Sequence, residues 1–164
     1  KHWTHKDGLG VDYEKVRDSN PFSRDPAKYS SHHARQKIEQ GLTGVDSAYN
    51  PNYVVSITVD DLGRVWVGTW GAGLSRYDGK EWVTFTTAEG LPANHVFMAE
   101  YDKEGLWIGT SHGMSLLDAD GKVVRTFTTE DGLYANAVFS LARDQAGAFW
   151  VGSFGGVSRI NQLQ

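Results

Sequence analysis

The chain has 164 residues, 40% of them hydrophobic, with 16 basic against 20 acidic side chains and a net charge of −4. One ordinary domain with a core fits that length, and the negative balance excludes a strong polyanion footprint, so neither nucleic acid nor an anionic membrane surface is expected as a partner. The lack of cysteine excludes disulfides, thiol nucleophiles and thiolate metal sites, and no apolar run reaches the roughly 18 residues of a membrane span.

The chain opens on Lys1-His2-Trp3 rather than Met, as expected of a trimmed chain, of one that has lost a signal segment, or of a piece of a longer protein. Residues 1–9 read as an N-terminal strand, because Trp3-Thr4-His5-Lys6-Asp7-Gly8-Leu9 matches two later phrases, Phe85 to Leu91 and Phe127 to Leu133. Residues 10–51 break the spacing and read as an insertion. Within it Asp25 is a good N-cap, Pro26 suits the first helical position and Gly41 a stop, which predicts a helix over residues 26–40. Its apolar face is weak, with only Ala27, Ala34 and Ile38. A lone helix of this kind is marginal in water, so it is expected to lie on the rest of the protein or on a partner.

From Asn52 onward the chain repeats. Val65-Trp66-Val67-Gly68-Thr69 returns as Leu106-Trp107-Ile108-Gly109-Thr110 and as Phe149-Trp150-Val151-Gly152-Ser153, with tryptophans 41 and 43 residues apart. Asn52, Asn94 and Asn136 keep the same phase, as do Asp60, Asp102 and Asp144, and Ser75, Ser115 and Ser158. Inside each unit apolar residues alternate over short runs bounded by Gly and Asp, the pattern of half-buried strands, and no window has a helical period. Each unit predicts four antiparallel strands. In the middle one these are His95–Tyr101, Leu106–Thr110, Met114–Leu117 and Val123–Thr128, and tandem units of about 42 residues with this content have the size of β-propeller blades. The expected fold is therefore all-β, with blades at 52–91, 92–133 and 134–164 and the partly helical insertion ahead of them. Glycine, at 19 residues, suits many tight turns, and Gly68, Gly109 and Gly152 are expected to let a neighbouring backbone approach closely.

The phrases Asp60-Asp61-Leu62-Gly63-Arg64-Val65-Trp66-Val67-Gly68-Thr69, Gly73-Leu74-Ser75-Arg76-Tyr77-Asp78 and Phe85-Thr86-Thr87-Ala88-Glu89-Gly90-Leu91 resemble the two-component regulator propeller repeat. The resemblance implies blades of bacterial extracytoplasmic sensor regions, hence a periplasmic or extracellular location. No transmembrane helix or output domain of such regulators is read in these 164 residues, so signalling by this stretch alone is not expected.

The third unit stops after its third strand, and three blades do not close a ring whose usual range is four to eight. Open blade faces and unpaired edges require cover. The expected partner is a second copy whose residues 1–9 complete the last blade, with a trimer, a longer parent protein and a different partner protein as the alternatives.

The candidate ligand residues lie on loops at one end of the blades: Trp70, His112 and Phe154 between second and third strands, and Asn94, His95, Tyr134 and Asn136 before the first. Aromatic surfaces with amides and imidazoles suit a small polar-aromatic molecule or a peptide, although Asn94 and Asn136 equally suit turn backbone. No catalytic residue, metal site or cofactor is expected. The six histidines have no recognised ligand spacing, the acidic turns lack the pattern of a calcium loop, and Gly68-Thr69-Trp70-Gly71-Ala72-Gly73 precedes a strand, not the helix that a phosphate loop needs. The reading is a non-enzymatic propeller module that docks on a partner or on itself, for example as an accessory subunit. Its alternatives are a saccharide-like small-molecule sensor and a propeller lyase or hydrolase using His95 or His112.

Overall fold

The structure is a computed structural model that describes residues 1–11, 31–39 and 52–161. Three antiparallel sheets succeed one another along the chain. The first holds β1 (Val54–Val59), β2 (Val65–Thr69), β3 (Leu74–Tyr77) and β4 (Trp82–Phe85); the second β5 (Val96–Asp102), β6 (Gly105–Thr110), β7 (Gly113–Leu117) and β8 (Val123–Phe127); the third β9 (Val138–Arg143), β10 (Phe149–Ser153) and β11 (Gly156–Ile160). Strand order in each sheet is the sequence order. The arrangement is all-β and open, not closed.

The hairpin turns explain one of the repeated residues. Of the repeated aspartates, Asp60 and Asp144 each accept two backbone N–H bonds within their own turn, at 2.9–3.0 Å, and Asp102 accepts one, from Glu104 at 2.8 Å, which fixes a tight reversal at the end of a strand. At the other end of the blades three capped turns recur. Thr4, Thr86 and Thr128 each form a reciprocal capping box with Asp7, Glu89 and Asp131, closed by Gly8, Gly90 and Gly132 at φ 99°, 100° and 102°, a left-handed conformation that glycine adopts without strain.

The core lies between the sheets, not within any one of them. Trp66, Leu74, Leu91, Val96, Leu106 and Ile108 fill the first junction, and Met98, Trp107, Met114, Phe127, Val138 and Val151 the second. Trp66 and Trp107 are 1% and 2% exposed, against 40% for Trp150 at the same repeat position. On the opposite flank Ala99 is 5% exposed and its counterpart Ile57 63%. A blade face is dry only where another blade covers it. Burial of one such tryptophan contributes about 4 to 6 kcal/mol as an upper bound.

The glycines beside the tryptophans stand where backbones meet. A Cβ on Gly68 would lie 2.8 Å from the Val96 carbonyl oxygen, and one on Gly109 2.5 Å from that of Val138. At Gly152 the nearest atoms are of its own sheet; a Cβ there would meet the Ser140 hydroxyl.

One expectation is corrected, and a second lies partly outside the described residues. Residues 1–9 contain no strand: Lys1 to Thr4 are irregular and His5–Asp7 form the first capped turn. A strand needs an edge to pair with, and Trp3 instead packs on Tyr77 and Trp82, with ring centroids at 5.4 and 6.4 Å. Of the helix expected over 26–40, the structure describes α1 (Ser31–Glu39), while Asp25, Pro26, Ala27 and Gly41 lie outside the described residues. Ile38, expected on its buried face, is 65% exposed.

Candidate functional site

The inner strands β1, β5 and β9 carry the same defect at the same place. Val54 pairs with Thr69 and Ser56 with Gly68, Val96 with Thr110 and Met98 with Gly109, Val138 with Ser153 and Ser140 with Gly152. In each strand one residue, Val55, Phe97 or Phe139, is extra to its partner. A bulge of this kind reverses the facing of the residues beyond it and re-aims the one it expels. Val96 and Met98, two apart, thus face different junctions.

Of the expelled residues, Phe97 meets a loop at a strand tip and Phe139 stacks on Phe97. The Trp70 ring lies 5.1 Å from Phe97 and 6.2 Å from His95, and Phe97 stacks on Phe139 at 4.6 Å with 22° between planes. The loop backbones are held alike in all three blades, by Trp70 N–H to the Tyr53 carbonyl, Ser111 N–H to that of His95 and Phe154 N–H to that of Ala137, at 2.9–3.3 Å. The structure therefore brings Trp70 and His95 together and adds two residues that sequence reasoning missed. A signal for them exists: Val54-Val55, Val96-Phe97 and Val138-Phe139 are doubled apolar pairs that break the alternation at one phase of the repeat.

The other candidates separate by role. Asn94 and Asn136 accept the N–H of Thr87 and Thr129 on their side-chain oxygens at 2.9 Å, and their carbonyls accept from Gly73 and Gly113 of the preceding blade at 2.9 and 2.6 Å. They lock turn to blade and blade to blade. Asn52 does a related job, pairing through its carboxamide with both the N–H and the carbonyl of Val11 at 3.1 and 3.0 Å; the two ends of the insertion are clasped there. Tyr134 is exposed, with its N–H on the Ser158 hydroxyl at 2.7 Å, and Phe154 is 76% exposed. His112 is exposed beside the Ser111 hydroxyl, 3.2 Å from its Nδ1. His95 is buried, and burial, with His112 nearby, pushes its pKa below the usual imidazole value, so it is neutral at pH 7.

Charge is segregated along the strands. Among the described residues, the loops 52–53, 70–73, 92–95, 111–112, 134–137 and 154–155 hold no Asp, Glu, Lys or Arg, whereas the turns at the opposite strand ends, from Asp60 to Arg64 and Asp78 to Glu81, are rich in them. Charges on the first end sit in the capped turns. No group of three or more His, Asp or Glu that could hold a metal ion occurs among the described residues, and no described helix is long and apolar enough to cross a membrane.

Among curated proteins nothing matches the chain. Residues 48–71 match the family model "Two component regulator propeller". Among solved structures, the extracellular domain of a hybrid two component system from B. thetaiotaomicron is 26% identical with a TM-score of 0.58, over 70% of this chain and 16% of that one. PorZ, a surface component of the type-IX secretion system of Porphyromonas gingivalis, is 20% identical with a TM-score of 0.53, over 70% and 18%. Virginiamycin B lyase from Staphylococcus aureus shares the fold at 17% identity and a TM-score of 0.51, over 66% and 38%. The chain thus spans about a sixth of the length of the first two. Residues 48–71 thus resemble one two-component regulator propeller repeat, and the sheets share the blade fold of the extracellular domain of a bacterial two component system.

Proposed function

We propose that the chain is a non-enzymatic, extracytoplasmic interaction module whose two uncovered blade faces dock against a further blade, supplied by a second copy or by a protein partner. The observation that carries this reading is the difference between Trp150, 40% exposed, and its repeat-mates Trp66 and Trp107, at 1% and 2%. The edge of the same sheet is also unfinished. Ser75 and Ser115 bond Thr84 and Thr126 on a fourth strand at 2.8 Å, and β11, which carries Ser158, has no fourth strand beside it among the described residues. Apolar faces and open edges of this kind favour association. Sedimentation of the chain over a concentration series tests it: self-association that Trp150→Asp or Ile57→Asp removes, and Val124→Asp, at an exposed position of β8, does not, supports docking through these faces. A chain that stays monomeric at high concentration and whose Trp150 is freely quenched counts against it.

The loops at the inner end, which hold no Asp, Glu, Lys or Arg among the described residues, favour a second reading, recognition of a small neutral molecule. Rings at stacking distance and a neutral imidazole offer contact area and orientation without an ionic partner. An enzymatic reading has no such support, since His112 and Ser111 lie at the rim and the lyase likeness concerns the fold.

A further inference from the structure

The three blades are close copies, so the places where they differ at one repeat position are informative. At the tip of the second strand the residues are Trp70, Ser111 and Phe154; two residues before the bulge they are Tyr53, His95 and Ala137; at the bulge they are Val55, Phe97 and Phe139. Each loop reaches toward the next blade. Across the first junction Trp70 meets His95 and Phe97. Across the second, the equivalent positions hold Ser111, Ala137 and Phe139. The backbone hydrogen bonds that set these loops are the same in both, although Trp70-Gly71-Ala72-Gly73 is one residue longer than Ser111-His112-Gly113; at the matching positions the second junction has a hydroxymethyl in place of an indole and a methyl in place of an imidazole. Phe139, stacked on Phe97, is left 40% exposed.

We propose that the exposed Phe139 ring, stacked on Phe97 beneath the repeat positions that Ser111 and Ala137 fill, is a binding subsite for the aromatic ring of an uncharged ligand, such as an aromatic side chain flanked by amides. The occupant is argued from the molecule itself, because the preceding junction shows what fits the frame: a flat ring against the bulge phenylalanine. Offset or edge contact between rings adds to the burial of their area. The rim is free of Asp, Glu, Lys and Arg among the described residues, so a charged ligand would shed water without gaining an ion pair, while the Ser111 hydroxyl and His112 imidazole, 3.2 Å apart, offer hydrogen bonds to an amide. The inference rests on the reading of the inner end as a small-molecule site and is independent of docking through the outer faces.

The test is a titration of the isotopically labelled 164-residue chain with N-acetyl-tryptophanamide, followed by NMR on the rings of Phe97, Phe139 and His112, with N-acetyl-leucinamide and methyl glucoside as comparison probes. Saturable shifts at those rings with the tryptophan probe, at least tenfold tighter than with the leucine probe, are expected. Ser111→Trp rebuilds the roof that Trp70 provides in the first junction; it should keep the fold and weaken the probe at least tenfold. Should that variant not fold, Phe139→Leu serves, with the same loss expected. Binding undiminished in the folded variant, or equal affinity for the leucine probe, overturns the proposal. Shifts at the same rings with the glucoside alone overturn the aromatic preference and leave small-molecule recognition standing; no shift with any probe removes both.

Discussion

Trp150 donates its indole N–H to Asp144 at 3.1 Å, the third copy of a pair that Trp66 forms with Asp60 at 2.8 Å and Trp107 with Asp102 at 3.2 Å. The aspartate thus joins two jobs, since Asp60 and Asp144 also receive the N–H groups of their own turn. Turn closure and indole placement are coupled through one carboxylate. At Asp60 the coupling is buried and reinforced by Arg64, whose Nε lies 2.6 Å away.

Removing the buried carboxylate should therefore cost more than removing the exposed one. Asp60→Ala leaves the Trp66 indole and two turn amides without their acceptor, and a loss of about 1–3 kcal/mol is expected. Urea unfolding measures it. Asp144→Ala, at a third blade open to water, should cost visibly less.

The tryptophans themselves should rank by cover, not by residue type. Trp66→Ala empties a filled junction and should lose about 3–5 kcal/mol, whereas Trp150→Ala should lose roughly 1 kcal/mol or less in the monomer. Equal losses in thermal or urea unfolding would contradict the junction-based core.

Acid should destabilise the protein in two steps. Burial, then His112, lowers the His95 pKa, so the folded state resists a proton that the unfolded chain accepts; this stability is present above about pH 6.5 and is lost as pH falls through the lower folded value. The second step comes from the carboxylates. Burial would raise Asp60, but the bonds from Trp66 and Arg64 outweigh it and lower its pKa; the Trp150 indole first, then the Ala148 N–H and Arg159, hold Asp144 down at about 2. Their contribution is complete above about pH 4 and lost as pH falls through those folded values. Melting temperature against pH should show both declines, and His95→Asn should flatten the upper one.

Gly109→Ala should push the second and third blades apart, because its Cβ would stand 2.5 Å from the Val138 carbonyl oxygen. Backbone yields little, so a melting temperature several degrees lower is expected. Gly152→Ala meets only a serine of its own sheet at close range, whose hydroxyl can rotate aside, and should be milder.

The clasp at the insertion has a local readout. Asn52→Ala removes both bonds to Val11, and amide exchange at Val11 should accelerate while exchange in β6 and β7 is unchanged.

The repeat, its strand content and the tandem blades were legible from residues 52–161 because side-chain alternation, Asp-Gly turns and a tryptophan at fixed phase are local consequences of chain chemistry. The kinship of the phrase from Trp3 to Leu9 with those at Thr86 and Thr128 was legible too, but not its form: the expectation is a strand, and the structure shows the shared phrase to be a capped turn, since a strand is a relation to an edge and residues 1–4 pair with none among the described residues. Of the candidate site, Trp70 and His95 could be picked as loop residues with useful chemistry. Which rings they touch could not: the bulge that expels Phe97 and Phe139 exists only as a mismatch between paired strands, and the contact of Trp70 with Phe97 joins two blades. Composition and periodicity determined what kind of sheet this chain makes, because those depend on neighbours along the backbone. The tertiary structure alone decided which faces stay dry and which rings gather at the inner end, because cover and stacking depend on where one blade ends and the next begins.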